Sequence, residues 1–197
     1  SPRADDCVRA ARTKARMLAE SSTSSTRRIA GQHTIPHQFQ RHLWQGAAAV
    51  QATAVIGAGS SGLTVLKALL EAGVPAVCFE GGSKVGGNWV FDNDNRQSRI
   101  YRSLRINTSK DRMQFSDFPM PADYPDYASH QQVAAYFEAY AEAFDLARAI
   151  RFRCAVESVT KTPAGQYRPL TSDGVEQDFG AVVVANGCEG DPTSAKD

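Results

Sequence analysis

The chain has 197 residues, 42% of them hydrophobic and 22% charged, with a net charge of +1. That length suits one core-bearing domain with an appendage, and so even a charge balance gives no electrostatic case for binding nucleic acid or an anionic membrane surface. No run approaches the roughly 18 apolar residues of a membrane-spanning helix. The four cysteines, Cys7, Cys78, Cys154 and Cys188, form no CxxC pair and have no histidine at metal-ligand spacing. The pattern therefore predicts neither a zinc site nor a disulfide framework, and buried thiols fit a reducing, cytoplasmic compartment.

Residues 1–50 differ from the rest. Arg3, Arg9, Arg12, Lys14, Arg16, Arg27, Arg28 and Arg41 face only Asp5, Asp6 and Glu20, and SSTSST adds a low-complexity run. A basic, serine-rich, acid-poor leader has the composition of an organelle transit peptide. A disordered extension, or translated sequence upstream of the true start, is the stronger reading, since residue 1 is Ser.

Residues 52–192 carry the expected domain. Thr53–Ile56 is a short apolar run, read as a first strand. From Ser60 to Ala72, Leu63, Leu66, Leu69 and Leu70 recur at helical spacing, and Gly73 is placed to end that helix. Ala76–Phe79 reads as a second strand. A polar segment rich in Arg, Asn, Asp and Pro then runs to Tyr127. Its aromatic residues, among them Trp89, Phe115, Phe118 and Tyr124, argue for an ordered functional loop. Ser129 is placed to cap a helix whose Val133, Phe137, Tyr140 and Phe144 share one face, with His130 expected at the surface in its first turn. Alternation of Ile150, Phe152, Cys154 and Val156 predicts one half-buried strand running toward Val159. Tyr167–Leu170 and Val175–Phe179 flank the turn signal SDG, predicting a hairpin or meander. Ala181–Ala185 is a fully apolar strand that halts at Asn186-Gly187.

The stretch GAGSSG, Gly57 to Gly62, is the strongest functional signal. Gly57 permits the tight exit from the strand, Gly59 lets the backbone approach a pyrophosphate, and Gly62 lets helix and strand pack closely. The helix N-terminus beyond presents N–H groups and partial positive charge to phosphates. Glu80 closes the second strand about 20 residues on, where a carboxylate accepts hydrogen bonds from ribose hydroxyls. That acid disfavours a 2′-phosphate, leaving FAD or NAD. Gly86-Gly87 marks a second close approach of backbone to something flat or phosphorylated.

These residues resemble the flavin-containing monooxygenases of the N,N-dimethylaniline monooxygenase type. The likeness runs from Ala54 to about Pro192 and includes GAGSSG with Glu80, GGNW at Gly86–Trp89, and IYRSLRINTSKDRMQFSDFPMP at Ile100–Pro121. VVVANGCEGDP looks like the family's passage from the FAD domain toward the NADPH domain, with Asn186 departing from the usual small residue or Thr.

The resemblance implies an α/β, Rossmann-like FAD-binding domain: three layers, a mostly parallel sheet and a β-meander. It implies FAD as the first dinucleotide, with Gly57, Ala58, Gly59, Ser60, Ser61 and Gly62 at its pyrophosphate and Glu80 at its ribose. Gly87, Asn88 and Trp89 would follow along the cofactor, Asn107 and Thr108 would lie beside the flavin ring, and Ile106-Asn107 would touch NADP. Asn107 is the residue to which the resemblance gives a catalytic role. NADPH would supply hydride, and a hydroperoxyflavin would oxygenate a small-molecule nitrogen or sulfur nucleophile at the expense of dioxygen.

A second nucleotide fingerprint, which the family needs for NADPH, does not follow Gly62. The expectation is therefore an N-terminal portion, inactive alone, with residues 193–197 starting a crossover toward a missing domain. Two other readings use the same grip on FAD: a non-catalytic FAD-binding remnant, and a piece of another FAD-dependent oxidoreductase such as an amine oxidase.

Overall fold

The computed structural model describes residues 51–174 and 176–187. The expectations for residues 1–50, for residues 193–197, and for Cys7 and Cys188 lie outside the described residues.

Four parallel strands make the central sheet: β1 (Thr53–Ile56), β2 (Ala76–Phe79), β3 (Ile150–Arg151) and a last strand, Ala181–Val184, in the order β3-β2-β1-last. β1 lies between two neighbours, with Thr53 opposite Ala76 and Ala181, and Ile56 opposite Phe79 and Val184. A central parallel strand is covered on both faces, which is why TAVI is apolar without alternating. Successive side chains still point to opposite faces. Val55 and Cys78 therefore join the larger core cluster, and Ala54 and Phe79 the smaller one.

Helices cover the first face. α1 (Ser60–Glu71) buries Leu63 and Leu66. It ends in a Schellman motif, Gly73 N–H to Leu70 C=O at 3.1 Å and Val74 N–H to Leu69 C=O at 2.9 Å, with Gly73 at φ +71. A one-turn α2 (Lys110–Met113) lies in the long segment between β2 and the next helix. α3 (His130–Ala143) starts in a capping box: Gln132 N–H donates to Ser129 Oγ, and Ser129 N–H donates to Gln132 Oε1 at 2.9 Å.

Its buried face packs Tyr136, Phe137 and Tyr140 on Phe115 and Phe118, with ring centroids 4.7–5.8 Å apart. Tyr136 accepts from Phe115 N–H at 2.7 Å and donates to Phe118 C=O, pinning the FSDF loop. Lys67 of α1 reaches that loop as well, 2.9 Å from Asp117 and 2.7 Å from Glu71. The aromatic residues of the long segment hold it against the helices, so a stretch without periodicity is ordered.

A hairpin covers the other face: β4 (Val156–Lys161) and β5 (Tyr167–Thr171), antiparallel. Labelling the last sheet strand, Ala181–Val184, as β6 completes the set.

Three local expectations change. The strand predicted from Ile150 toward Val159 is two strands: Arg153 adopts φ +55, and the chain leaves the parallel sheet there to begin the hairpin. Phe152, at the break, is 36% exposed. The hairpin turn lies at Thr162–Gln166, where Thr162 N–H donates to Gln166 C=O at 2.8 Å. SDG does turn, with Gly174 N–H donating to Thr171 C=O, but beyond it the chain returns only as a single bridge, Phe179 with Tyr167. His130, expected in the first turn of a surface helix, is only 2% exposed. The segment ahead of α3 folds over that turn: His130 N–H donates to Leu104 C=O, and the ring sits 3.1 Å from Arg102 C=O and 5.5 Å from the Phe91 ring.

Candidate dinucleotide site

Parallel strands bring their carboxyl ends to one edge of the sheet, where ligands of such folds bind. Three segments leave that edge together: Gly57 after β1, Glu80 after β2 and Ala185-Asn186 after β6. Gly57 has φ +97, donates its N–H to Phe79 C=O at 2.8 Å, and would place a Cβ 2.6 Å from Ala185 C=O. A Cβ on Gly62 would lie 2.9 Å from the Gly57 carbonyl carbon and nearer still to its oxygen. Both glycines are therefore demanded by the protein itself.

Gly59 is different. Its φ of −77 and ψ of −170 are open to any residue, and a Cβ there would meet nothing closer than Gly87 Cα at 3.8 Å. Nothing within the fold requires glycine at this position, and the space a side chain would take is open. Just beyond it, α1 starts with no side-chain cap and no acid in its first turn. Ser60 and Ser61 precede the first intrahelical bond, Leu63 N–H to Gly59 C=O, so their N–H groups face outward at the positive end of the helix.

The second glycine pair closes on the first loop. Gly86 N–H donates to Ala58 C=O at 2.9 Å, and a Cβ on Gly87 would sit 3.1 Å from Gly59 Cα. The close approach expected at Gly86-Gly87 is thus met by the GAGSSG backbone, and the two loops form one wall.

Glu80 is 4% exposed. Its Oε2 accepts from Ala58 N–H at 2.7 Å, and its Oε1 accepts from Gly82 N–H at 2.7 Å and from Asn95 Nδ2 at 3.4 Å. Ala58 therefore spends both backbone groups within the protein. It braces the wall, leaving Gly59, Ser60 and Ser61 as the part of the loop whose backbone N–H groups are not spent on Glu80. Beneath, burial and the Glu80 charge push the Cys78 thiol up to about 12, so Cys78 is an inert core thiol.

The remaining predicted residues are brought to this wall unequally. Asn88 and Trp89 follow Gly87 in a 3-10 turn; Asn88 Oδ1 accepts from Arg99 N–H at 2.9 Å, and Trp89 packs half-buried on the core. Ile106 is buried in the same cluster as Ala58 and Val85. Asn107 and Thr108 are exposed, just past the point where Ile106 N–H donates to Ala128 C=O. Their segment shares the wall's core, with no hydrogen bond to the glycine loop among those found.

Sequence reasoning missed Asn93 and Asn95, which fold back over Gly82 and Glu80. FDNDNRQ reads only as a polar stretch, and its single clue is the repeated amide. A hollow of about 330 Å³ lined by Lys84, Val85, Glu138 and Phe152 shares no lining residue with this wall. Among the described residues no three His, Cys, Asp or Glu side chains are grouped to hold a metal, and no helix is long and apolar enough to cross a membrane.

Residues 50–195 match the family described as FMO-like, flavin-binding monooxygenase-like. The chain belongs to that family. It is 46% identical over 143 residues to flavin-containing monooxygenase 5 of Mus musculus, covering 68% of this chain and 27% of the relative. Its fold matches S-allyl-L-cysteine S-oxygenase from Allium sativum with a TM-score of 0.62 at 30% identity, over 70% of this chain and 36% of the other. It also matches an oxidized steroid monooxygenase bound to NADP, with a TM-score of 0.60 at 28% identity, over 70% and 26%. This flavin-binding monooxygenase-like chain thus spans about a quarter of the length of that curated relative.

Proposed function

We propose that this chain forms the FAD-gripping part of an NADPH-using monooxygenase that oxygenates soft nitrogen or sulfur nucleophiles with dioxygen. The observation that carries the reading is Gly59, a glycine that the fold does not need, set before an uncapped helix and beside a buried carboxylate. Bound flavin would supply the redox and oxygen chemistry.

The protein's part begins at Gly59, Ser60 and Ser61, whose backbone would take the pyrophosphate. Glu80 would accept from the ribose, and Gly87 would back the loop while Asn88 and Trp89 continue along the cofactor. Asn107 and Thr108 would stand by the ring, with the Asn107 amide as the catalytic hydrogen-bonding group and Ile106-Asn107 meeting NADP. The buried Glu80 charge argues against seating NADPH at this first site.

The test is titration of the purified chain with FAD and with NADP, followed by absorbance and flavin-fluorescence quenching. The expected result is one FAD per chain, no NADP bound at this site, and no substrate-dependent NADPH oxidation by the 197-residue chain. Failure to take up FAD would refute the reading. Turnover of NADPH by this chain would show that the reducing nucleotide has been placed wrongly.

A further inference from the structure

Asn93 is 6% exposed, and its Nδ2 makes no hydrogen bond. Buried amide donors are almost always paired, because a lost partner costs the full desolvation of the group. The location of this one is specific. A Cβ on Gly82 would lie 2.6 Å from Asn93 Oδ1, 3.2 Å from Asn93 Nδ2 and 3.2 Å from Glu80 Oε1. The Asn93 amide therefore fills the space of the side chain that Gly82 lacks, right beside the Glu80 carboxylate. Gly82 is a glycine because Asn93 is there.

The carboxylate also has capacity to spare. A carboxylate offers about four lone-pair positions. Ala58 N–H takes one on Oε2, and Gly82 N–H and Asn95 Nδ2 take two on Oε1. The free position is on Oε2. An asparagine kept only for structure would turn its N–H to Glu80, as Asn95 does. Asn93 does not, so a buried donor without a partner and a carboxylate with spare acceptor capacity lie around one point, the place a Gly82 Cβ would take. A ribose diol has the complementary set, since a hydroxyl that donates to a carboxylate still has lone pairs with which to accept.

We propose that Asn93 is a cofactor-binding residue whose Nδ2–H donates to a hydroxyl oxygen of the ribose held by Glu80. The inference rests on the flavin reading of the site and adds to it a residue that fixes the orientation of the adenosine half. No proton or electron moves in this role.

The test uses the full chain, wild type and Asn93→Ala and Asn93→Leu, titrated with FAD and with FAD analogues lacking the 2′- or the 3′-hydroxyl of the adenosine ribose. Wild type is expected to prefer FAD to at least one analogue by about tenfold, the size of one good hydrogen bond. Both variants are expected to bind FAD about tenfold more weakly and to show that preference reduced, with only the part owed to Glu80 left. Asn93→Leu keeps about the same volume and removes the donor without adding charge beside Glu80, which separates packing from hydrogen bonding.

Binding to wild type can also be followed without substitution, through the Asn93 side-chain amide protons in ¹⁵N-labelled protein. They should shift and exchange more slowly with FAD, and not with the analogue that lacks the contacted hydroxyl. Variants that keep the full preference, a uniform weakening for all three ligands, or amide protons unmoved by FAD would each overturn the assignment. A wild-type chain that binds no flavin would instead overturn the flavin reading itself.

Discussion

Gly59→Ala and Gly62→Ala are the same chemical change three residues apart, and the geometry separates their consequences. At Gly62 the added methyl would lie 2.9 Å from the Gly57 carbonyl carbon and closer to its oxygen, backbone that cannot swing aside. Overpacking against backbone costs about 3 kcal/mol or more, roughly 10 °C of melting temperature for a domain of this size. At Gly59 the methyl would meet only Gly87 Cα at 3.8 Å, an ordinary contact, with φ at −77. Loss of unfolded-state freedom stabilises by about 0.4–1 kcal/mol and loss of a glycine N-cap offsets part of it, so the net change is within about 1 kcal/mol.

Flavin binding should respond in the opposite sense to stability. The Gly59 methyl stands where a phosphate must come to reach the Ser60 and Ser61 N–H groups. Losing two charge-assisted hydrogen bonds of about 1.5–3 kcal/mol each weakens FAD by at least about 100-fold. Thermal melting of both flavin-free variants, together with FAD titration of Gly59→Ala, measures both arms. A Gly59→Ala protein that binds FAD as wild type does would refute the assignment of that open space to the pyrophosphate. A Gly62→Ala protein that melts like wild type would refute the packing argument.

Glu80→Gln should destabilise even the flavin-free chain. Glu80 serves Ala58 and Gly82 with different oxygens, and glutamine keeps only one acceptor, so a buried N–H loses its partner at a cost of about 1–3 kcal/mol. Urea unfolding of the flavin-free protein checks this, and an unchanged midpoint would show that the bracing role is wrong. Tyr136→Phe removes the hydroxyl that ties Phe115 N–H to Phe118 C=O, and should lower stability by about 1–3 kcal/mol. The measurement is calorimetric melting, and an unaltered transition would show that the FSDF loop is held by ring packing alone.

What was readable from sequence follows the range of the interaction. β1, α1 and β2 are set by short-range rules: an apolar run, a leucine stripe, and a glycine whose positive φ closes a Schellman motif. The capping box at Ser129 and Gln132 is equally local. The break at Phe152-Arg153 was hidden because alternation continues across a turn that moves the chain from one sheet to another. His130 looked exposed because its neighbours in sequence are polar, while its neighbours in space, Arg102, Leu104 and Phe91, lie 26 to 39 residues earlier. At the site, glycine at 57, 59 and 62 and a separate job for each were legible, but the steric ground that sets Gly59 apart from the other two was not. That distinction depends on what each Cβ would touch. The engagement of Ala58 with Glu80 and the unspent donor on Asn93 likewise arise only when separate loops close over one another.

In the proposed site the glycine wall by itself would not choose among dinucleotides, because it would read only a diphosphate through backbone N–H groups. The choice comes from Glu80, and its strength can be bounded. Two unit charges about 4 Å apart repel by about 4 kcal/mol at an effective dielectric constant near 20, so a 2′-phosphate on the ribose would lose at least about 1000-fold in affinity. The carboxylate cannot move away, since Ala58 and Gly82 N–H groups hold its two oxygens at 2.7 Å each. Nor do the ion pairs found among the described residues include one that neutralises it. The bracing that keeps the wall in shape is therefore also what keeps the charge in place, so on the proposed reading a ribose with two free hydroxyls would be accepted and a phosphorylated one turned away.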